Sequence, residues 1–178
     1  DSYAMQLVQG LLASEPDVQL IQMTKTACGP MFDVAPVFTK EYNVKWAEGC
    51  LAFNSEVRQW LAESKTVRFA VLSSPFWQYM EDGQLLIDGR LQDASMDVAA
   101  EYMHRTLNAL KGMGITPVVF SPTPQDGNNI GQCLVKAEFF GVDVTACNFS
   151  LASVTERSKA VYAWLARIAE TQDVVFLS

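Results

Sequence analysis

Residues 95–121 read SMDVAAEYMHRTLNALKGMGITPVVFS, and that stretch decides the fold. Ser95 is a good N-cap residue, and Asp97 puts an acid in the first turn of the helix it opens. Ala99, Met103, Leu107 and Leu110 recur at helical spacing, so residues 95–111 form a helix with one apolar stripe, ended by Gly112 and Gly114. ITPVVFS at 115–121 is an almost unbroken apolar, β-branched run. A run of that kind suits a strand buried on both faces of a parallel sheet.

The same alternation extends in both directions. Residues 18–23 (VQLIQM), 66–72 (TVRFAVL) and 173–177 (DVVFL) read as further strands. Between the strands lie helical patterns: residues 4–13 through Leu7, Val8, Leu11 and Leu12, and residues 48–62 through Cys50, Phe53, Val57, Trp60 and Leu61. A shorter helix spans residues 130–139. Ser153-Val-Thr-Glu156 matches a capping box, and the helix behind it puts Val154, Val161, Leu165 and Ile168 on one face. Strand–helix alternation predicts a single α/β domain over residues 1–178, a doubly wound and mainly parallel sheet with helices on both faces. Residues 24–47 have little periodicity, and loops of that length tend to be functional or cross-linked. Residues 76–89 fit a small hairpin insertion with Asp82-Gly83 as its turn. Ligands of open parallel sheets bind beyond the carboxyl ends of the strands. In this chain that edge collects residues 24–30, 73–77 and 121–129.

Composition narrows the partners. Apolar residues make up 49 % of the 178 and charged ones 19 %, which excludes intrinsic disorder. Lys and Arg total 13 against 20 Asp and Glu, a net charge of −7. That field repels phosphate backbones, and there is no basic patch with interleaved aromatics, so nucleic acid is not an expected partner. The apolar runs are strand-length, whereas a membrane span needs roughly 20 residues. The four cysteines, Cys28, Cys50, Cys133 and Cys147, contain no C-x-x-C, and the single histidine is distant in sequence, which argues against zinc. They allow two disulfides in three connectivities. The sequence-local pairs, Cys28 with Cys50 and Cys133 with Cys147, each fall in loop-rich segments and are favoured, pointing to an oxidising compartment. Four buried thiols are the alternative.

Little chemistry follows from single residues. His104 is the only histidine and sits mid-helix, beside the core stripe, so a structural role is expected of it. No G-x-S-x-G, G-x-G-x-x-G or G-x-x-x-x-G-K-[ST] occurs. Glu81, Asp82, Asp88, Asp93 and Asp97 read as a solvated surface. Ser2 opens a helix, where free backbone N–H groups would cap the chain or stabilise an oxyanion.

The order of several short motifs resembles a known family. Asp1-Ser2-Tyr3-Ala4 followed by a helix is similar to the first block, G-D-S-x-x, of the SGNH (GDSL-type) esterases and acyltransferases. Thr24-Lys-Thr-Ala-Cys28-Gly-Pro30 is similar to a Ser/Thr-rich turn with Cys-Pro-Pro. Cys50-Leu-Ala-Phe53-Asn54 matches C-x-x-F-N. Residues 67–77 resemble a strand ending in an aromatic-bearing loop, and Ser121-Pro-Thr-Pro124 a Pro-rich turn. Together they look most like the periplasmic SGNH domains fused behind the membrane-embedded acyltransferase family 3, which O-acetylate surface polysaccharides such as lipopolysaccharide.

The resemblance implies a flavodoxin-like three-layer sandwich in a periplasmic domain tethered to the inner membrane. It implies Ser2 as nucleophile and its own N–H as one oxyanion donor. The Asn54 side chain and the Gly29 N–H become candidates for the other donors. Neither metal nor organic cofactor is needed. The partners would be an acyl donor delivered by the membrane domain and a glycan acceptor. The family's first strand and its Asp-x-x-His acid–base block lie outside residues 1–178, so the chain is expected to be a fragment of the domain. Ser73-Ser-Pro-Phe-Trp77 stands where the family carries G-x-N-D, and Tyr3 where the subgroup carries His. A serine hydroxyl is a weak nucleophile without a base, so these 178 residues alone are expected to be nearly inactive. The alternatives are a free-standing carbohydrate esterase of the same fold, and a non-catalytic α/β domain that binds glycan or a partner protein.

Overall fold

The computed structural model describes residues 2–177 except 82, 126 and 173. A 3₁₀ turn (Ser2–Leu7) leads into α1 (Val8–Ser14), then β1 (Ala35–Val37) and α2 (Val44–Glu63). Next come β2 (Phe69–Ser73), a short turn (Trp77–Tyr79), β3 (Gln84–Ile87), β4 (Arg90–Asp93), α3 (Met96–Gly112) and β5 (Thr116–Phe120). The chain continues through α4 (Ile130–Phe140), a turn (Val144–Cys147), α5 (Leu151–Thr171) and β6 (Val175–Leu177).

The parallel sheet runs β2-β5-β6, with Leu72 opposite Val119 and Val119 opposite Phe176. One face of it carries the main core. Leu72 and Val119 share that core with Met103, Leu107 and Leu110 of α3 and with Val161, Trp164, Leu165 and Ile168 of α5. Each such side chain contributes about 1.5–3 kcal/mol by leaving water. The α3 stripe and its Ser95 cap are as the sequence predicts: Val98 N–H donates to Ser95 Oγ at 3.3 Å. On the other face Val71, Val118 and Phe120 are half-buried, and the Ser2–Leu7 turn lies against β2.

The expected hairpin belongs to a second, antiparallel sheet of order β1-β3-β4. Its turn is Asp88-Gly89, both residues at positive φ (49° and 73°), rather than Asp82-Gly83, of which Asp82 lies outside the described residues. Either Asp-Gly supplies the two left-handed positions of a tight hairpin turn. What decides is the buried run Leu85–Leu86–Ile87: Leu86, opposite Ala35, packs with Ala47 and Cys50 of α2, while Leu85 and Ile87 enter the main core from the other face. β1 comes from the aperiodic segment and is too short to show a period. Pro36 is tolerated there because β1 is an edge strand.

Three other boundaries move. Residues 18–23 form no strand, and Val18 and Ile21 are exposed. A β-prone composition makes a ladder only where a neighbouring edge completes it. α2 begins at Val44, not at Glu48, because Asn43 Oδ1 accepts the Trp46 N–H at 3.2 Å. α5 begins at Leu151, because Ser150 Oγ accepts the Ser153 N–H at 3.1 Å. Ser153 is therefore inside the helix, and its hydroxyl donates back to the Ser150 carbonyl.

Cys28 is joined to Cys50 and Cys133 to Cys147. The first bridge clamps the aperiodic segment to α2 beside Ala35, Ala47 and Leu86. Replacing Cys28 and Cys50 together by Ala should lower unfolding stability by about 3 kcal/mol, the chain-entropy figure for a loop of this order, read as a shift in the urea midpoint.

Candidate functional site

The parallel strands end at Ser73, Phe120 and Leu177, and the loops beyond them form one edge. After β2 the chain turns at Phe76, which has a left-handed φ of 61° although it is fully buried. A bulky residue held there costs about 1–3 kcal/mol. The ring is retained against Trp164, 5.3 Å between centroids, and the turn directs Trp77 outward. Trp77 lines a cleft of about 210 Å³ with Pro75 and Glu81 from the same loop, Thr123 and Gln125 from the loop after β5, and Arg157 from α5. Pro122, Thr123 and Gln125 thus form a wall of the cleft, and Glu81 lines it while remaining an exposed, solvated acid. At the end of β2 and in the short turn after it, Ser73 Oγ and Gln78 Oε1 are buried without a hydrogen-bond partner. Gln78 Nε2 donates to Ser74 Oγ at 3.0 Å.

Ser2 is half-buried at the start of the 3₁₀ turn. The next residue reaches the cleft wall: Gln125 Nε2 donates to the Tyr3 hydroxyl. The turn that carries Ser2 therefore stands at the carboxyl edge of β2 and β5.

Cys28, Gly29, Cys50 and Asn54 are brought together on the far side of the loop after β2. Asn54 is 5 % exposed, and its Nδ2 donates to the Gly29 and Met31 carbonyls, both at 3.0 Å. The Gly29 N–H donates to the Tyr79 hydroxyl at 2.9 Å. Both groups expected to face an oxyanion are thus given to partners inside the protein. They fix the loop instead. A Cβ on Gly29 would stand 2.6 Å from the Tyr79 ring, so only glycine fits. Burial pushes the Tyr79 phenol far above its ordinary pKa, opposed only in part by the Gly29 hydrogen bond. Three residues on from Gly29, the Phe32 N–H donates to Thr106 of α3 at 2.8 Å.

His104 is half-buried and lies 3.0 Å from Thr171 Oγ1, in the last turn of α5. α5 leads into the amino end of β6, so His104 faces away from the cleft. Burial, and secondarily Arg167, lowers its pKa. Among the described residues no group of three or more His, Cys, Asp or Glu stands ready to hold a metal ion, and no helix is long and apolar enough to cross a membrane.

With that geometry in place, the family can be stated. Residues 1–178 match the family model of the SGNH domain fused to AT3 domains. The chain belongs to this family. No curated protein and no solved structure matches it. An SGNH domain of this kind is associated with a membrane acyltransferase domain in its parent protein.

Two outcomes test the anchoring of this SGNH domain. Gly29→Ala should cost about 1–3 kcal/mol through overpacking, measured by urea unfolding. For Tyr79 the folded state favours the neutral phenol. Its stabilisation is complete below the unfolded pKa of about 10 and is lost as pH rises from there. Tyr79→Phe should therefore flatten the fall in melting temperature above about pH 10.

Proposed function

We propose that this SGNH domain acts on the periplasmic side of the inner membrane. There it would transfer an acetyl or other acyl group to a hydroxyl of a surface polysaccharide, lipopolysaccharide being one example. The observation that carries the reading is the contact between Tyr3 and Gln125. It supports a place for the turn that carries Ser2 at the edge where a parallel sheet keeps its ligands, next to a cleft with an aromatic face, a cation and a carboxylate. The full-length match to SGNH domains fused to AT3 domains supports a membrane partner as the source of the acyl group.

In this reading Ser2 Oγ attacks the acyl carbonyl, and its proton passes to a base. The tetrahedral oxyanion is held by backbone N–H groups at the start of the 3₁₀ turn, that of Ser2 among them. Collapse releases the donor's leaving group, which takes up a proton, and leaves an ester on Ser2. The base then deprotonates a sugar hydroxyl, which attacks that ester, transfers the acyl group and regenerates Ser2. His104 points to Thr171 and does not serve as the base. The resemblance to the family assigns that task to an Asp-x-x-His block. Asn54 and Gly29 act as positioning residues that hold the 24–30 loop against Tyr79. Trp77 supplies a flat apolar face for a pyranose ring, with Arg157 and Glu81 in reach of its hydroxyls.

In the parent protein, Ser2→Ala should lower polysaccharide acylation by about 10³-fold or more while the domain still melts cooperatively. Undiminished acylation by Ser2→Ala would remove the serine from the mechanism. Trp77→Ala should raise KM for the acceptor about tenfold, near 1.4 kcal/mol, with kcat little changed.

A further inference from the structure

α4 has an unusual exposure for a helix with so many apolar residues. Of its eleven residues only Ala137 is buried. Val135 is 69 % exposed, Phe139 80 % and Phe140 69 %, and Leu151 at the start of α5 is 81 % exposed. The intervening turn adds Val142 and Val144, also exposed. The Cys133–Cys147 bridge staples that turn to α4, so the surface is held in shape rather than left to collapse. Val135 and Phe139 are one helical turn apart and share a face. Charge is sparse: in the 22 residues 130–151 only Lys136, Glu138 and Asp143 are charged, a net of 1 − 2 = −1. The Phe139 and Phe140 rings touch, 5.0 Å between centroids, and exposed apolar side chains gathered on one helix and the turn stapled to it mark an interaction site.

We infer that the α4 surface docks onto the membrane-embedded acyltransferase domain to which SGNH domains of this family are fused, holding the cleft edge toward it. Position favours that occupant. α4 follows the cleft-wall loop that leaves the carboxyl end of β5, and α5 starts at Leu151 and runs back toward the amino end of β6. The apolar surface therefore stands at the same edge as Ser2 and the cleft, where an acyl group has to arrive. Charge disfavours a lipid surface as the occupant. Faces that lie on anionic membranes carry Lys and Arg on their rim, whereas here Lys136 is alone and the chain carries −7. A second copy seated there would obstruct the edge that the donor must approach. The inference rests on the membrane-acyltransferase reading but not on Ser2 as nucleophile.

The test uses the full parent protein in its own membrane. A photo-crosslinking phenylalanine analogue at position 139 should give an intramolecular cross-link to the membrane domain. The same analogue at position 69, exposed at the opposite, amino end of β2, should give none. Cross-links from position 139 to lipid, to a second copy, to another part of this domain, or to nothing would overturn the proposal. Phe139→Ser with Phe140→Ser should also lower acylation at least tenfold while the full parent protein keeps its level in the membrane and its resistance to proteolysis. Acylation unchanged by that pair overturns docking, whereas a Ser2→Ala protein that still acylates but cross-links from position 139 removes only the nucleophile.

Discussion

The contact between Gly29 and Tyr79 is the constraint on which the arrangement of the site depends. Fifty residues of chain separate the two, yet the N–H of one donates to the hydroxyl of the other, at a separation that leaves no room for a side chain. Around that contact the loop is pinned from several sides. Cys50 holds its neighbour Cys28, Asn54 takes the carbonyls of Gly29 and Met31, and Thr106 takes the N–H of Phe32. A long aperiodic segment carries many backbone groups that need partners. Here side chains of α2, of α3 and of the loop after β2 supply them, and so tie the antiparallel sheet to the parallel one.

The same contact reaches the cleft. Tyr79 closes the short turn that begins at Trp77, directly after the strained Phe76. The loop that shapes one wall of the cleft is therefore braced from behind by Gly29 and from within by Trp164. Rigid support of this kind is what a positioned site requires, since small displacements of reacting groups have large effects on rate.

Much of the fold was legible because it rests on local patterns. The α3 stripe, its Ser95 cap and the apolar runs of β2, β5 and β6 all follow from residues within one or two turns of each other. The exposure of residues 18–23 was not legible, because a β-prone run does not carry its own partner. The choice of Asp88-Gly89 over Asp82-Gly83, and of Ser150 over Ser153, was equally hidden. In each pair both options satisfy the local rule, and a buried neighbour outside the motif selects one. The site was legible in part. The carboxyl edge, two of its three expected loops and the two sequence-local cysteine pairs were readable, but the place of the 24–30 loop, which follows no strand, and the partners of Asn54 and Gly29 were not.

By itself, then, the sequence determined an α/β domain with parallel strands, the caps and stripes of its helices, its acidic charge, and the family whose motif order it follows. Those properties depend on spacing along the chain. Tertiary structure alone decided that Gly29 lies under Tyr79, that Asn54 serves the loop, that Glu81 and Arg157 share a cleft, that His104 turns away from it, and that α4 keeps its phenylalanines in solvent. Each of these depends on which distant surface arrives opposite a residue. No period or motif records that, because it is settled only when the whole chain has closed on itself and every buried polar group has found, or failed to find, a partner.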